Sequence, residues 1–247
     1  MRTFFYELIL IASTSLLGSG QAVTPAAKPP VRTPAATSTA SGPTAIIHTT
    51  AGDMRCELFQ KDAPIGVANF TGLSNGTKDW TSPVSHAKKH GVPLYDGTIF
   101  HRVIPAFMIQ GGDPAGSGMG DPGYTFKNET SPALKFDRPG RLAYANSGPD
   151  TNGSQFFITE DVAHSAHLSG SYTIFGQCDP ASVELVKKIA RMTRDPSNDL
   201  PFHPVKITHI EIQKAGARPA APKLAAPNST PGAKPSAATK KQPQAQQ

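Results

Sequence analysis

The sequence predicts a mainly β domain in which many short strands form a barrel or a sandwich with helices at its ends. Short apolar runs recur between turn-forming residues, and one early segment alternates between apolar and polar side chains. Only two segments show the spacing of an amphipathic helix. Two helices among several evenly spaced strands are typical of this fold class.

Proline and composition place this domain in the middle of the chain. Of the 24 prolines in 247 residues, five lie in residues 23–44 and six in residues 214–247. Both flanks are rich in Ala, Pro, Ser, Thr and Lys, and this composition predicts disorder. Residues 45–213 hold both cysteines and the only tryptophan, and they are long enough to bury one core. We therefore expect a linker at 23–44, one domain at 45–213 and a basic tail at 214–247.

The expected strands begin with an alternating segment at residues 53–59, which is typical of a half-buried strand. Residues 45–49 are expected to pair with it through a turn at residues 51–52. The polar stretch at residues 75–97 is expected to be a surface loop. Further strands are predicted at residues 98–103, 107–111, 140–146, 155–159, 173–177 and 205–212.

Two helices are expected. Asp62 is a suitable N-cap for the first, which would carry Pro64 in its first turn and end by Gly76. The second is predicted at residues 181–192, where apolar residues recur at helical spacing.

The net charge argues against nucleic acid as a partner once it is divided by segment. The chain carries a formal charge of +6. Residues 45–213, however, hold 15 basic and 17 acidic residues, whereas residues 214–247 hold six basic and no acidic ones. Surfaces that bind nucleic acid commonly combine basic residues with aromatic ones, and the tail has no aromatic residue. We expect no nucleic-acid partner.

The N-terminus has the pattern of a signal peptide at residues 1–22. Arg2 precedes a mostly apolar stretch at residues 4–17, and Gly20 and Ala22 are small residues at the −3 and −1 positions of a cleavage site. An uncleaved anchor is the alternative, but a spanning helix needs roughly 20 apolar residues. We therefore expect an exported protein, periplasmic or secreted, with no stable membrane insertion after cleavage.

Cys56 and Cys178 are the two cysteines of the chain. An oxidising compartment would allow them to form a disulfide. They would serve equally well as two unpaired thiols in the core, and sequence spacing does not decide between the two.

Short patterns that resemble dinucleotide-binding and metal-binding motifs occur without the neighbouring residues that such sites need. The G-x-G-x-x-G pattern at residues 118–123 follows turn-forming residues rather than a strand. The pairs His86/His90 and His164/His167 have metal-compatible spacing but no third or fourth ligand nearby. No G-x-S-x-G elbow provides a hydrolase nucleophile. We expect neither a metal nor a cofactor.

Three sequence blocks are informative: residues 100–113 (FHRVIPAFMIQGGD), 152–158 (NGSQFFI) and 172–176 (YTIFG), with Leu168 before the last. In this order, and across residues 45–212, the chain resembles the cyclophilin family of peptidyl-prolyl cis-trans isomerases. The resemblance implies a closed eight-stranded antiparallel β-barrel capped by two α-helices. It also implies catalysed rotation about X-Pro bonds of polypeptide substrates, without a cofactor.

The resemblance also implies the site residues. Arg102 corresponds to the catalytic arginine of the family. Phe156 and Phe157 are neighbours on one strand and must face opposite sides, and the family pattern assigns Phe157 to the site. The implied substrate-binding residues are Phe107, Met108, Gln110, Ala145, Asn146, Gln155, Phe157, Leu168 and Tyr172.

Two positions depart from the best-known eukaryotic pattern. His167 replaces a tryptophan beside Leu168, so we expect weak cyclosporin binding. Tyr172 replaces a common pocket histidine, and its ring and polar tip are expected to keep the pocket with a changed substrate preference. We expect a monomer. The alternative function is a proline-directed peptide-binding or chaperone module with little turnover.

Overall fold

The computed structural model describes residues 42–215, so the predicted signal peptide and most of both flanks lie outside the described residues. The elements are β1 (Thr44–Thr49), β2 (Gly52–Leu58), α1 (Pro64–Asn75), β3 (Trp80–Thr81), β4 (Lys88–Lys89), β5 (Arg102–Ile104), β6 (Met108–Gly111), β7 (Arg141–Tyr144), β8 (Phe156–Thr159), a 3-10 helix (Ala166–Leu168), β9 (Ile174–Cys178), α2 (Pro180–Ala190) and β10 (Ile207–Gln213).

Eight strands form one antiparallel sheet in the order β10-β1-β2-β9-β7-β8-β6-β5. The sheet is an open barrel, so the prediction of a closed barrel is wrong. No strand ladder joins the edge strands β5 and β10; the seam holds one isolated bridge, between Ile99 and Lys206. Pro201 and Pro204 lie in the segment that would have to extend β10 along β5. Proline lacks the N–H that such a ladder needs.

The first helix begins at Pro64 and ends before Gly76, as predicted, but Asp62 does not cap it. The carboxylate of Glu129, from a distant loop, accepts hydrogen bonds from the Ile65 amide (2.9 Å) and the Gly66 amide (2.7 Å). A carboxylate here satisfies free N–H groups and complements the helix dipole. Since this contact is long-range, local sequence could not reveal it.

The second helix begins at Pro180 and ends at Ala190. Its N-cap is Asp179, whose side chain accepts a hydrogen bond from the Ser182 amide at 2.8 Å. The helix therefore starts and ends slightly earlier than the predicted 181–192.

The stretch predicted as a surface loop, residues 75–97, contains the short β3–β4 hairpin. The Trp80 indole donates to the Val92 carbonyl at 2.9 Å, and Leu94 and Tyr95 are buried in the core. The loop prediction is therefore wrong for these residues.

An aromatic cluster fills the inside of the barrel. Phe70 of α1 packs against Tyr95, Phe156 and Phe175, with ring centroids 5.1 to 5.5 Å apart. Burial of such large rings is the main favourable term for a β domain of this size. Phe156 and Ile109 point into this core, which leaves their strand neighbours to face outward.

Cys56 of β2 and Cys178 of β9 form a disulfide between adjacent strands, which decides between the two alternatives left open by the sequence. No helix within residues 42–215 is both long and apolar enough to cross a membrane.

Candidate active site

A cavity of about 380 Å³ lies on the outer face of the sheet. An adjoining cavity of about 250 Å³ shares part of its wall and includes Gln155. The structure thus brings all ten predicted positions to one surface. Nine of them line the larger cavity: Arg102, Phe107, Met108, Gln110, Ala145, Asn146, Phe157, Leu168 and Tyr172.

The pleat of β5, β6 and β8 decides which side chains reach this surface. Val103 and Ile109 pair across β5 and β6 and are fully buried inside the barrel. Their neighbours Arg102 and Gln110 pair with each other and line the outer cavity. Because side chains alternate along a strand, the core pair faces the inside of the barrel and the polar pair beside it faces the cavity.

A second apolar cluster forms the floor of the cavity. Met108, Phe157 and Leu168 belong to this cluster, which is separate from the barrel core. Phe136 stacks on Phe157 with centroids 5.7 Å apart, and Tyr172 meets the same ring edge-on at 5.6 Å. These contacts hold the Phe157 ring in one orientation, so the apolar floor is preformed.

Arg102 has its side chain 42% exposed at the cavity wall. Its Nε lies 3.6 Å from Oδ2 of Asp199, whose Oδ1 accepts a hydrogen bond from Arg194 Nε at 2.9 Å. Within residues 42–215, no hydrogen bond involves the terminal nitrogens of Arg102. The carboxylate thus contacts one side of the guanidinium and leaves these donors for a ligand.

Replacing Asp199, whose φ is 61°, with asparagine, which tolerates this conformation, is expected to lower kcat/KM about fivefold, because the guanidinium loses the charge that orients it. The matched control is Asp195→Asn, since Asp195 lies in the same loop and accepts a hydrogen bond from Ser197 and none from Arg102. Isomerisation of an X-Pro peptide and thermal unfolding should be measured for both. An equal loss of activity in both variants would mean that only loop structure matters.

The amides of Gln110 and Gln155 connect the sheet to the glycine-rich loop at residues 116–120. Gln110 Nε2 donates to Gln155 Oε1 at 2.9 Å, and Gln155 Nε2 donates to the carbonyls of Gly118 and Gly120 at 3.0 and 2.9 Å. This loop lies between the two cavities, and its Met119 contributes to both. Gln155 therefore positions the loop that separates them.

Asp113 holds the same loop through its side-chain carboxylate. Its fully buried carboxylate accepts hydrogen bonds from the amides of Ala115, Ser117, Gly118 and Gly120. Burial alone would raise the pKa of Asp113, but the backbone hydrogen bonds outweigh it and hold the pKa below its usual value. The carboxylate therefore stays charged at neutral pH.

Glu160 holds the turn that carries Phe107. This buried carboxylate accepts a hydrogen bond from the Ala106 amide at 3.1 Å and pairs with Arg191 at the end of α2. Ala106 has a φ of 60°, an unfavourable value for alanine. The bond to Glu160 helps to hold this conformation and hence the position of Phe107.

Seven residues of the cavity lining were not predicted from the sequence. His101 is buried in the cavity wall, and burial lowers its pKa, so the ring is neutral at neutral pH. Its place beside Arg102 in the first block was an available signal. Nothing in the sequence pointed to the loop before β10. The lining residues missed were His101, Gly116, Ser117, Gly118, Met119, Asn198 and Leu200.

Comparison with known proteins agrees with this geometry. The family described as cyclophilin type peptidyl-prolyl cis-trans isomerase/CLD matches residues 44–212. Peptidyl-prolyl cis-trans isomerase A of Mycobacterium tuberculosis is 51% identical over 170 residues, covering 68% of this chain and 91% of that protein. Peptidyl-prolyl cis-trans isomerase B of Streptomyces anulatus is 45% identical over 170 residues, covering 68% and 95%.

Solved structures give the same result. A crystal structure of a Cryptosporidium parvum cyclophilin type peptidyl-prolyl cis-trans isomerase has a TM-score of 0.58 and 34% identity, covering 72% of this chain and 99% of that one. A second crystal structure of that protein, in the presence of the dipeptide Ala-Pro, has a TM-score of 0.56 and 34% identity, covering 69% and 99%. On the fold, the cavity and these similarities, the chain belongs to the cyclophilin family of peptidyl-prolyl cis-trans isomerases.

Proposed function

We propose that this chain accelerates rotation about X-Pro bonds of folding polypeptides, with the proline ring in the outer cavity and Arg102 at the imide nitrogen. One observation carries the proposal: a guanidinium with free donors lines the same cavity as the preformed apolar floor around Met108 and Phe157. An apolar cavity beside a guanidinium suits an X-Pro unit. The cavity can hold the proline ring, and the cation can polarise the amide.

The reaction needs no nucleophile, metal or cofactor, because no covalent bond breaks. An X-Pro amide rotates through a twisted state about 18–20 kcal/mol above the ground state. In that state amide resonance is lost and the imide nitrogen becomes pyramidal and basic. Arg102 can then hydrogen-bond this nitrogen more strongly than it can bond the planar amide, and this difference lowers the barrier.

Arg102 alone cannot account for a large acceleration. One charge-assisted hydrogen bond contributes about 1.5–3 kcal/mol, whereas a hundred-thousandfold acceleration requires about 7 kcal/mol. The remainder is assigned to Phe107, Met108, Phe157 and Leu168, which would hold the ring while the rest of the bond turns.

The polar side of the groove would fix the peptide backbone. Gln110 and Asn146 line both cavities and present amide groups there, while Gln155 holds the adjoining loop through the carbonyls of Gly118 and Gly120. The Ala-Pro dipeptide named with the C. parvum structure is a small X-Pro unit. We assign Ala-Pro sequences to this cavity as the smallest substrate unit.

Two measurements on the full chain separate catalysis from binding alone. An X-Pro peptide is titrated to measure binding, and its cis-trans exchange is measured with and without the protein. Saturable binding together with faster exchange supports the proposal. Saturable binding with an unchanged exchange rate favours the proline-directed binding or chaperone module instead.

We also propose that the protein works outside the cytoplasm. The predicted signal peptide at residues 1–22 supports export, and the Cys56–Cys178 disulfide is of the kind that persists in an oxidising compartment. N-terminal sequencing of the protein from the extracytoplasmic fraction tests this location. A mature chain starting at Val23 is expected, and an intact N-terminus in the cytosol would contradict it.

Further properties follow from the same proposal. His167 is exposed on the 3-10 helix next to Leu168, and an imidazole covers less apolar surface there than an indole would. Weak cyclosporin binding is therefore expected. We also propose that the protein acts as a monomer on proline-containing polypeptides and has no nucleic-acid partner.

A further inference from the structure

A third cavity, of about 540 Å³, borders the same glycine-rich loop as the active-site cavity and is here called the seam cavity. Gly116 lines both cavities. None of the ten site positions predicted from the sequence lines the seam cavity. Its volume lies in the range that holds a small ligand or a short peptide, so the fold offers a second site that the proposed reaction does not use.

Trp80 forms an aromatic wall of the seam cavity. Its indole donates to the Val92 carbonyl at 2.9 Å and packs partly against the barrel core, and these contacts hold the ring in place. Lys89 is the cross-strand partner of Trp80, and both residues line the cavity. Because directly paired residues of an antiparallel hairpin share one face, the Lys89 side chain extends from the same face as the indole.

A second lysine comes from the seam of the barrel. Lys206 pairs with Ile99 in the isolated bridge between the two edges of the sheet, and both residues line the cavity. The backbone next to this bridge is held by a hydrogen bond of 2.8 Å from the Ile207 amide to the Thr98 carbonyl. The two lysines therefore reach the cavity from two separately anchored segments.

The seam cavity carries two lysine charges without a countercharge in the described part of the chain. Among residues 42–215, neither Lys89 nor Lys206 takes part in an ion pair. The two carboxylates of the lining are already engaged. Asp96 lies 3.2 Å from Nδ1 of His209, and Asp113 accepts its backbone hydrogen bonds from the glycine-rich loop. The charge balance of the cavity thus favours an anionic ligand.

Apolar side chains provide much of the remaining lining. Val92 is 42% exposed although it is a large apolar residue, and Pro93, Pro114 and Ala115 line the same cavity. A ligand that fills the cavity would remove Val92 and part of the indole from water, which favours binding. The lining therefore selects a ligand that combines carboxylate groups with an apolar side chain.

The charge of the whole domain distinguishes a short acidic segment from a long polyanion. Residues 45–213 hold 15 basic and 17 acidic residues, so a nucleic acid or an anionic membrane would meet repulsion over most of the surface. A short acidic peptide segment meets only the two lysines of the cavity. Polypeptides that are still unfolded expose such segments.

We propose that the seam cavity binds a short acidic segment of a polypeptide, with its carboxylates paired to Lys89 and Lys206 and an apolar side chain against Trp80. Because Gly116 borders both cavities, a segment bound here lies next to the active-site cavity without occupying it. The site is thus a second docking position for polypeptides that carry acidic residues. Binding at this position does not require turnover.

Trp80 provides a direct readout, because it is the only tryptophan of the chain. The probe is the peptide acetyl-Glu-Leu-Phe-Glu-amide, which contains neither proline nor tryptophan. Added to the full chain, it is expected to change the Trp80 emission saturably, and calorimetry should give the same Kd. Raising the salt concentration from about 0.05 M to about 0.5 M should weaken binding severalfold, because exposed charges are screened.

Substitutions of single lysines locate the binding site. Lys89→Gln and Lys206→Gln are each expected to weaken binding about three- to tenfold, because one charge-assisted hydrogen bond at a partly exposed position is lost. Lys88→Gln is the matched control, since Lys88 pairs with Thr81 and does not line the cavity. This control should keep the wild-type Kd, and thermal unfolding should be the same for all three variants.

Four outcomes would overturn the proposal. They are no binding of the probe by calorimetry at millimolar concentration, equal binding of a peptide with glutamine in place of both glutamates, an equal loss in Lys88→Gln, and competitive inhibition of X-Pro turnover by the probe. The last result would place the probe in the active-site cavity instead. Turnover of a short X-Pro peptide tests the proposed function separately, and Lys89→Gln and Lys206→Gln should leave it unchanged.

Discussion

Arg102→Ala is expected to lower kcat/KM for an X-Pro peptide about 100-fold, because the variant loses one charge-assisted hydrogen bond that forms only in the twisted state. Peptide binding should change far less, since the apolar floor around Met108 and Phe157 stays in place. The side chain lies on the outer face and contributes nothing to the barrel core, so the free energy of unfolding should change by less than about 1 kcal/mol.

Two further variants separate the guanidinium from charge in general. Arg102→Lys keeps the charge but loses the planar set of donors, and an intermediate rate is expected. Arg138→Ala removes an exposed arginine that pairs with Asp137 and does not line the cavity, and it should keep the wild-type rate. Peptide titration and thermal unfolding accompany each rate measurement. Wild-type turnover by Arg102→Ala would remove the mechanism.

Local pattern identified most of the elements that carry the site. Alternation in residues 53–59 and the apolar runs around Met108 and Phe157 predicted strands that the structure contains. The open seam was missed because barrel closure depends on whether two distant edges pair. Pro201 and Pro204 were visible in the sequence, but only the fold shows that they come shortly before Lys206, which pairs with Ile99 at the seam.

The supporting contacts of the site were less accessible to sequence. Asp199 reaches Arg102 from the loop between α2 and β10, and Glu129 caps α1 from another loop. Neither has a motif, since a single carboxylate in a polar stretch looks like any solvated charge. Phe136 likewise gave no signal, although it stacks on Phe157. Most substrate-binding residues lie in or near the three sequence blocks, whereas Asp199, Glu129 and Phe136 lie outside them.

Removal of the disulfide is expected to cause the largest loss of stability. The Cys56–Cys178 bond closes a loop with a sequence separation of 122 residues. In the chain-entropy model, a loop of this length restricts the unfolded state by about 4–5 kcal/mol. Cys56→Ala combined with Cys178→Ala is therefore expected to lower the free energy of unfolding by about 3–4 kcal/mol, which corresponds to a loss of about 8–15 °C in Tm.

Denaturant unfolding of the full chain, with and without reductant, checks this result. Reductant should destabilise the wild type by a similar amount and leave the double variant unchanged, because the variant has no bond to lose. The variant should keep its kcat/KM at 25 °C, since β2 and β9 meet away from the cavity that contains Arg102. A wild type whose unfolding does not respond to reductant, once reduction is verified by thiol titration, would contradict a stabilising role for the bond.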